Sequence, residues 1–249
     1  MNETYRSIPE LKQAIDSERL CKLAGVDDTI LSKWRDKRIF EHRATPESDS
    51  EWRGSDVMIV AVLARLAALR TRDSHLRCVA RDLYIGLAQA AQLPASNGTG
   101  VDFLYHAYLC EADKGGYFTE LARAPGADPR LMLYGSYPDY CRGLALAGEL
   151  PSVDLLAAAN QANLAAADLI ALFLDLTSRS NAAEGISSPI WNFVPFHDEM
   201  VIQPRISAGD MARDISDGSE ISCFITLSVP ALAREVAERA GAMETETAK

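Results

Sequence analysis

The chain has 249 residues, 48% of them hydrophobic, and a formal net charge of -10; that is enough apolar material for a packed core and excludes a disordered chain. Such acidity would normally argue against nucleic-acid binding. The cysteines, at 21, 78, 110, 141 and 223, lie far apart with no C-x-x-C pair, so no metal or other cofactor is expected, and reduced thiols in the cytoplasm are the simplest account.

In chain order, residues 7–14 predict a short leading helix with Pro9 tolerated in its first turn. From Glu18 to Phe40 two apolar stripes recur at helical spacing, Leu20, Leu23 and Val26 and then Ile30, Leu31 and Trp34. Gly25 stands where the first helix must stop and a left-handed backbone costs least without a Cβ. Asp27 is placed to cap the second helix through a backbone N–H. Two helices joined this tightly form a helix-turn-helix and present the second to a DNA major groove.

A polar stretch follows, EHRATPESDSEWRGSDV, of the size of a small β-wing and closed by Trp52 and Arg53. Ser55 or Asp56 is expected to cap a helix from Val57 to Arg70, and Asp73 another that carries Leu76, Val79, Ala80, Leu83 and Leu87 on one face. These two helices hold more apolar surface than a small winged domain covers, so they are expected to pack in a dimer or on the rest of the chain. Residues 93–100 (LPASNGTG) read as a linker. The expected division is residues 1–93 and residues 101–249.

The order helix, turn, helix, wing, helix resembles the MerR-type winged helix-turn-helix over roughly residues 17–70. Cys21 stands at that family's alanine, Gly25-Val26 at its turn, Leu31 at its leucine, Trp34 at its tyrosine and Ile39 at the leucine before the wing. Gly54-Ser55-Asp56-Val57 resembles its entry into the next helix. Ile30, Ser32 and Arg38 depart from it, standing where the family has Thr, Arg and Gly; the arginine missing at Ser32 is one of the family's main DNA contacts. The resemblance implies a dimeric, sequence-specific transcription regulator.

Charge distribution agrees with that reading. Residues 1–85 carry 15 Lys and Arg against 14 Asp and Glu, whereas the remainder carries 10 against 21. Local positive charge is what phosphate neutralisation needs, because affinity comes from released counterions. The second helix is expected in the major groove of double-stranded DNA with Thr29, Ser32 and Lys33 outward. Arg35, Arg38, Arg43 and Arg53 are expected on phosphates. Asp27 and Asp28 put negative charge near that surface and favour the alternative, a protein-interaction or small-ligand-binding module whose helix-turn-helix does not bind DNA.

Beyond residue 100 a helix is expected over residues 101–112, then a broken stretch from Lys114 to Asp139. Tyr134, Tyr137 and Tyr140 cluster beside Gly135 and Pro138. They read either as an aromatic-lined pocket for a small-molecule effector or as a core edge with wet hydroxyls. Residues 151–178 predict a long Ala-rich helix whose Asn160, Gln161, Asn163, Asp168 and Asp175 exclude a membrane span. Strands are expected at Ile190–Phe196, Met200–Ile206 and Ile221–Val229, with Pro195 and Pro204 at edge positions. Pro230 then opens a last helix.

The expected fold is mainly α with a small β component, a winged helix-turn-helix joined to a helical C-terminal domain. His197-Asp198-Glu199 is the one cluster with acid-base or metal character, and a surface turn explains it more simply. No nucleophile elbow, Walker loop or dinucleotide fingerprint is present. Nothing in the chain therefore points to an enzyme.

Overall fold

The computed structural model describes residues 13–43, 51–90, 106, 107, 110, 116–150, 165, 166, 169, 190–205 and 225–247. The leading helix, residues 44–50 of the expected wing, the linker 93–100, the Ala-rich helix with its polar patch and Cys223 fall wholly or largely outside them. Within them the protein is mainly helical with a three-stranded antiparallel sheet.

Helix α1, Ser17–Ala24, begins where Asp16 accepts the Arg19 N–H at 2.7 Å. It ends at Gly25, whose φ of 68° is left-handed, and the Gly25 and Val26 N–H groups both bond the Cys21 carbonyl. Helix α2, Asp28–Asp36, starts after only two further residues, and Asp27 caps it by accepting the Thr29 N–H at 2.8 Å. Leu23, Leu31 and Trp34 are buried together in one core with Val26 partly covered, as the two apolar stripes require.

The end of α2 places Arg38 in a left-handed position. Ile39 donates to the Trp34 carbonyl and Arg38 to that of Arg35, both at 2.9 Å, the bond pattern of a Schellman motif with its left-handed position at residue 38. Arg38 has φ 55°, so an L side chain sits where glycine is favoured. Arg38→Gly should stabilise the fold by about 1 kcal/mol, the lower end of the cost of a left-handed L residue. A higher urea midpoint with an unchanged slope would show it, and an equal or lower midpoint would count against it.

Helix α3, Gly54–Ala68, is the centre of the molecule: Val57 through Leu63 are all buried. It begins three residues before the expected start. Neither Ser55 nor Asp56 is the N-cap; Arg53 holds that position and Asp56, one turn in, accepts the Arg53 N–H at 2.8 Å. The entry is thus held by a carboxylate reaching backward, half of a capping box. Asp73 likewise is not a cap but the first residue of α4, Asp73–Ala90, where its carboxylate takes Lys37. The expected face of α4 is buried through Leu76, Val79, Ala80 and Leu83.

Helix α5, Gly116–Arg123, and a 3-10 turn at Pro129–Leu133 lie within the stretch expected to be broken. Helix α6, Tyr137–Leu146, follows with Ser136 as its cap. Strands β1, Ile190–Phe196, β2, Glu199–Arg205, and β3, Ile225–Ser228, form the sheet in the order β2-β1-β3. Pro195 is in the central strand rather than an edge one; β3 pairs only Ile190 to Phe193, so Pro195 lies beyond that ladder, where its missing N–H breaks no bond to β3. Helix α7, Val229–Thr247, has Pro230 in its first turn as expected.

The core does not part at residues 93–101. Leu20, Leu31, Trp52, Ile59 and Leu83 share one apolar cluster with Trp191, Phe193, Met200, Ile202, Leu232 and Val236. The sheet and α7 therefore cover the surplus apolar faces of α3 and α4 within one chain. A second, smaller cluster gathers Phe118, Leu131, Tyr137, Tyr140, Cys141 and Leu144.

Candidate nucleic-acid interface

The α1–α2 unit divides the expected contact residues into two groups. Thr29 and Lys33 are exposed on the side of α2 opposite Leu31 and Trp34, and Ser32 is half-buried beside them. The Thr29 hydroxyl donates to Asp27 Oδ1 at 2.6 Å, so it is engaged in the cap. That hydrogen bond, with the Thr29 N–H second, lowers the Asp27 pKa and keeps its carboxylate charged at the head of α2. Arg38, just after α2, and Arg53, at the entry to α3, are exposed.

Arg35 and Arg43 are placed differently. Arg35 donates to Ser17 Oγ at 2.7 Å, and its guanidinium lies 5.1 Å from the centroid of the Trp52 ring. Arg43 lies over the same ring at 4.0 Å and donates to the Glu51 carbonyl at 3.1 Å. Its side chain is 9% exposed and reaches to 3.8 Å from Asp56 Oδ2. Both arginines thus hold the indole by cation–π contact, and Arg43 ties the two ends of segment 44–50 together. Neither belongs to the open face of α2.

Trp52 has a larger role in the fold than its place at the close of a polar stretch implies. Its indole N–H donates to Ser17 Oγ at 3.0 Å, and its backbone exchanges two 2.8 Å hydrogen bonds with Ile15. Phe40 meets its ring edge-on at 5.2 Å and in turn meets Trp34 at 6.2 Å. An aromatic series therefore joins α2 to the entry of α3. A tryptophan spaced between basic residues was the available signal, but the partners of its ring come from positions 17, 35, 40 and 43 and depend on the fold.

Beneath this platform Asp56 is 2% exposed. Burial raises its pKa, opposed by the Arg53 N–H and the Arg43 charge. Beyond α2, the Lys37 ammonium pairs with Asp73, and Arg77 donates to the Lys37 carbonyl at 2.8 Å. The end of α2 is thereby joined to the start of α4.

Tyr137 and Tyr134 each pack their rings against Tyr140. Tyr137 and Tyr140 are buried, with rings 5.8 Å apart, and Tyr134 lies 5.9 Å from Tyr140. The Tyr140 hydroxyl donates to Asp128 Oδ2 at 3.0 Å. The Arg130 guanidinium hydrogen-bonds that carboxylate through both oxygens and, as the largest cause, holds the Asp128 pKa at about 2. A folded-state pKa below the ordinary carboxylate value means stability that is present above that value and lost as pH falls toward about 2. The α6 region should therefore loosen between about pH 4 and pH 2, and Asp128→Asn should remove that pH dependence. Tyrosine near-UV dichroism across this range measures it; an identical titration in the variant would show the carboxylate contributes nothing.

His197 and Asp198 form the two-residue turn between β1 and β2, exposed, with His197 at φ 54°. The His75 Nε2–H donates to the His197 carbonyl at 2.9 Å and ties the turn to α4. Among the described residues no group of three His, Cys, Asp or Glu side chains converges as a metal site, and no helix is long and apolar enough to cross a membrane.

No protein-family model, curated protein or solved structure matches this chain.

Proposed function

We propose that this chain is a sequence-specific DNA-binding transcription regulator that reads the major groove with α2. The observation that carries the reading is the Gly25-headed joint between two short capped helices. It leaves Thr29, Ser32 and Lys33 on the free side of α2 while Leu31 and Trp34 anchor the other side. A helix held this way can enter a groove without exposing its core. The resemblance of residues 17–70 to MerR-type winged helix-turn-helix proteins supports the same assignment. Arg38, after α2, and Arg53, at the entry to α3, supply phosphate contacts, while Arg35 and Arg43 keep the Trp52 platform in place. Two copies acting as a homodimer match the symmetry of a palindromic site. An effector, small molecule or protein, would act through the rest of the chain.

Binding to a duplex pool should weaken steeply with salt despite the net charge of -10, with a slope of roughly -0.9 per phosphate contact. Arg38→Ala and Arg53→Ala should each flatten that slope by about one unit on every sequence. Lys33→Ala should instead change the preference among sequences. No binding at low salt by the intact protein would refute the regulator.

A second reading, a protein-interaction module, is favoured by Asp27, Asp28 and Asp36 and by Ile30, which is 39% exposed on α2. An exposed apolar residue on a helix that also carries these carboxylates suits a basic protein surface better than phosphate. Retention of a basic partner together with failure to bind DNA is the outcome that selects it.

A further inference from the structure

The joint between α1 and α2 is closed from the far end of the chain. Arg239 on α7 donates through Nη1 to the Leu23 carbonyl at 3.1 Å. Its guanidinium lies directly against Gly25: a Cβ there would stand 2.7 Å from the Arg239 Cζ. Through Nη2 the same group bonds Glu235 at 3.0 Å, and Glu235 also takes Arg65 of α3. One guanidinium therefore connects the last turn of α1, the left-handed glycine after it, and through Glu235 the central helix. The main packing partner of α2 among the elements is α1, so the angle at Gly25 sets where the α2 outward face points.

We propose that Arg239 is a positioning residue for DNA reading, through which α7 fixes the α1–α2 joint and with it the fit of α2 to base edges. The inference rests on the DNA-binding reading above. A planar guanidinium both stacks on the exposed Cα of a glycine and hydrogen-bonds a helix-end carbonyl, whereas a lysine ammonium keeps the charge and loses the stacking. Arg239 touches no residue of the proposed phosphate set, so its removal should lower discrimination between sequences and leave the electrostatic component of binding unchanged.

The test uses the full chain, a duplex selected by the wild-type protein from a random pool, and a scrambled duplex of equal length. Arg239→Met and Arg239→Lys should both reduce the ratio of selected to scrambled affinity by about tenfold, the effect of roughly one mismatched base pair. The salt slope should stay at the wild-type value. Exchange of the Gly25 and Val26 amides should quicken in both variants, while amides of α7 around Leu232 and Val236 keep their protection. Those apolar contacts, with Val229, Ala233, Ala237 and Ala240, hold α7 in the core without Arg239. Unchanged discrimination in the two variants would overturn the inference and leave the regulator standing. Equal loss on both duplexes with a flatter slope would also overturn it, by making Arg239 a phosphate contact. If the wild-type protein selects no duplex, the regulator reading fails and takes this inference with it.

Discussion

Trp52→Ala should destabilise the protein by about 3–5 kcal/mol, the usual cost of truncating a large aromatic side chain in a core. Trp52 is 1% exposed and is among the largest fully buried side chains. The truncation leaves a void between Phe40, Arg35 and Arg43 and takes away the indole N–H that Ser17 Oγ accepts. Two guanidinium groups then lose the ring that covers them, so local collapse is resisted by charge. Trp52→Phe should recover part of the loss, because it restores ring area without the N–H. Equilibrium urea unfolding measures both variants. A cost below about 1 kcal/mol for Trp52→Ala, the level of an ordinary surface change, would mean the indole does not support α2.

Arg43→Met should cost nearly as much, about 3 kcal/mol, because it strands the Asp56 carboxylate in the core. The Arg43 and Asp56 side chains are 9% and 3% exposed, so water cannot replace the lost charge. The sign of its pH dependence follows from burial. A carboxyl whose folded-state pKa is raised holds its proton more tightly in the folded protein. Its ionisation therefore weakens folding as pH rises through that pKa. Without Arg43 the pKa rises further, so the variant should be close to wild type in acid and lose stability toward neutral pH. Asp56→Asn in the Arg43→Met background should restore most of the stability, since an amide still accepts the Arg53 N–H and no buried charge remains. If the double variant is no more stable than Arg43→Met, the loss comes from the Trp52 stacking and the Glu51 carbonyl alone. In DNA titrations Arg43→Met should leave the salt slope unchanged, in contrast to Arg38→Ala and Arg53→Ala.

Basic residues that look alike in a sequence stand in different surroundings in the fold. Arg35, Arg38, Arg43 and Arg53 lie within one short segment and look alike in the chain. Arg38 and Arg53 are exposed, whereas Arg35 and Arg43 turn onto Trp52. What separates them is the ring that the fold brings between positions 35 and 43, and no local pattern encodes that. Arg38 carries a second lesson. The position after α2 has a left-handed backbone, which favours glycine, and an arginine occupies it. If that arginine serves phosphate binding, the strain is retained for function, and Arg38→Gly should gain stability while losing affinity.

The local syntax was legible in the sequence because its causes are local. Gly25 needs only its missing Cβ to end α1, Asp27 only a carboxylate two residues from the Thr29 N–H, and β1 and β2 only their composition and a short turn. The buried face of α4 followed from a spacing of three and four residues, and the tip at His197 from adjacent polar residues. What the tertiary structure alone decided is where the core continues. The linker-like residues 93–100 look like a border in the chain, yet Trp191, Phe193, Leu232 and Val236 return across it to cover α3 and α4. The contact of Arg239 with Leu23 joins positions 216 residues apart. Apolar faces attract without regard to chain distance or order, so a sequence shows which faces need covering, while only the folded arrangement shows which segment covers them.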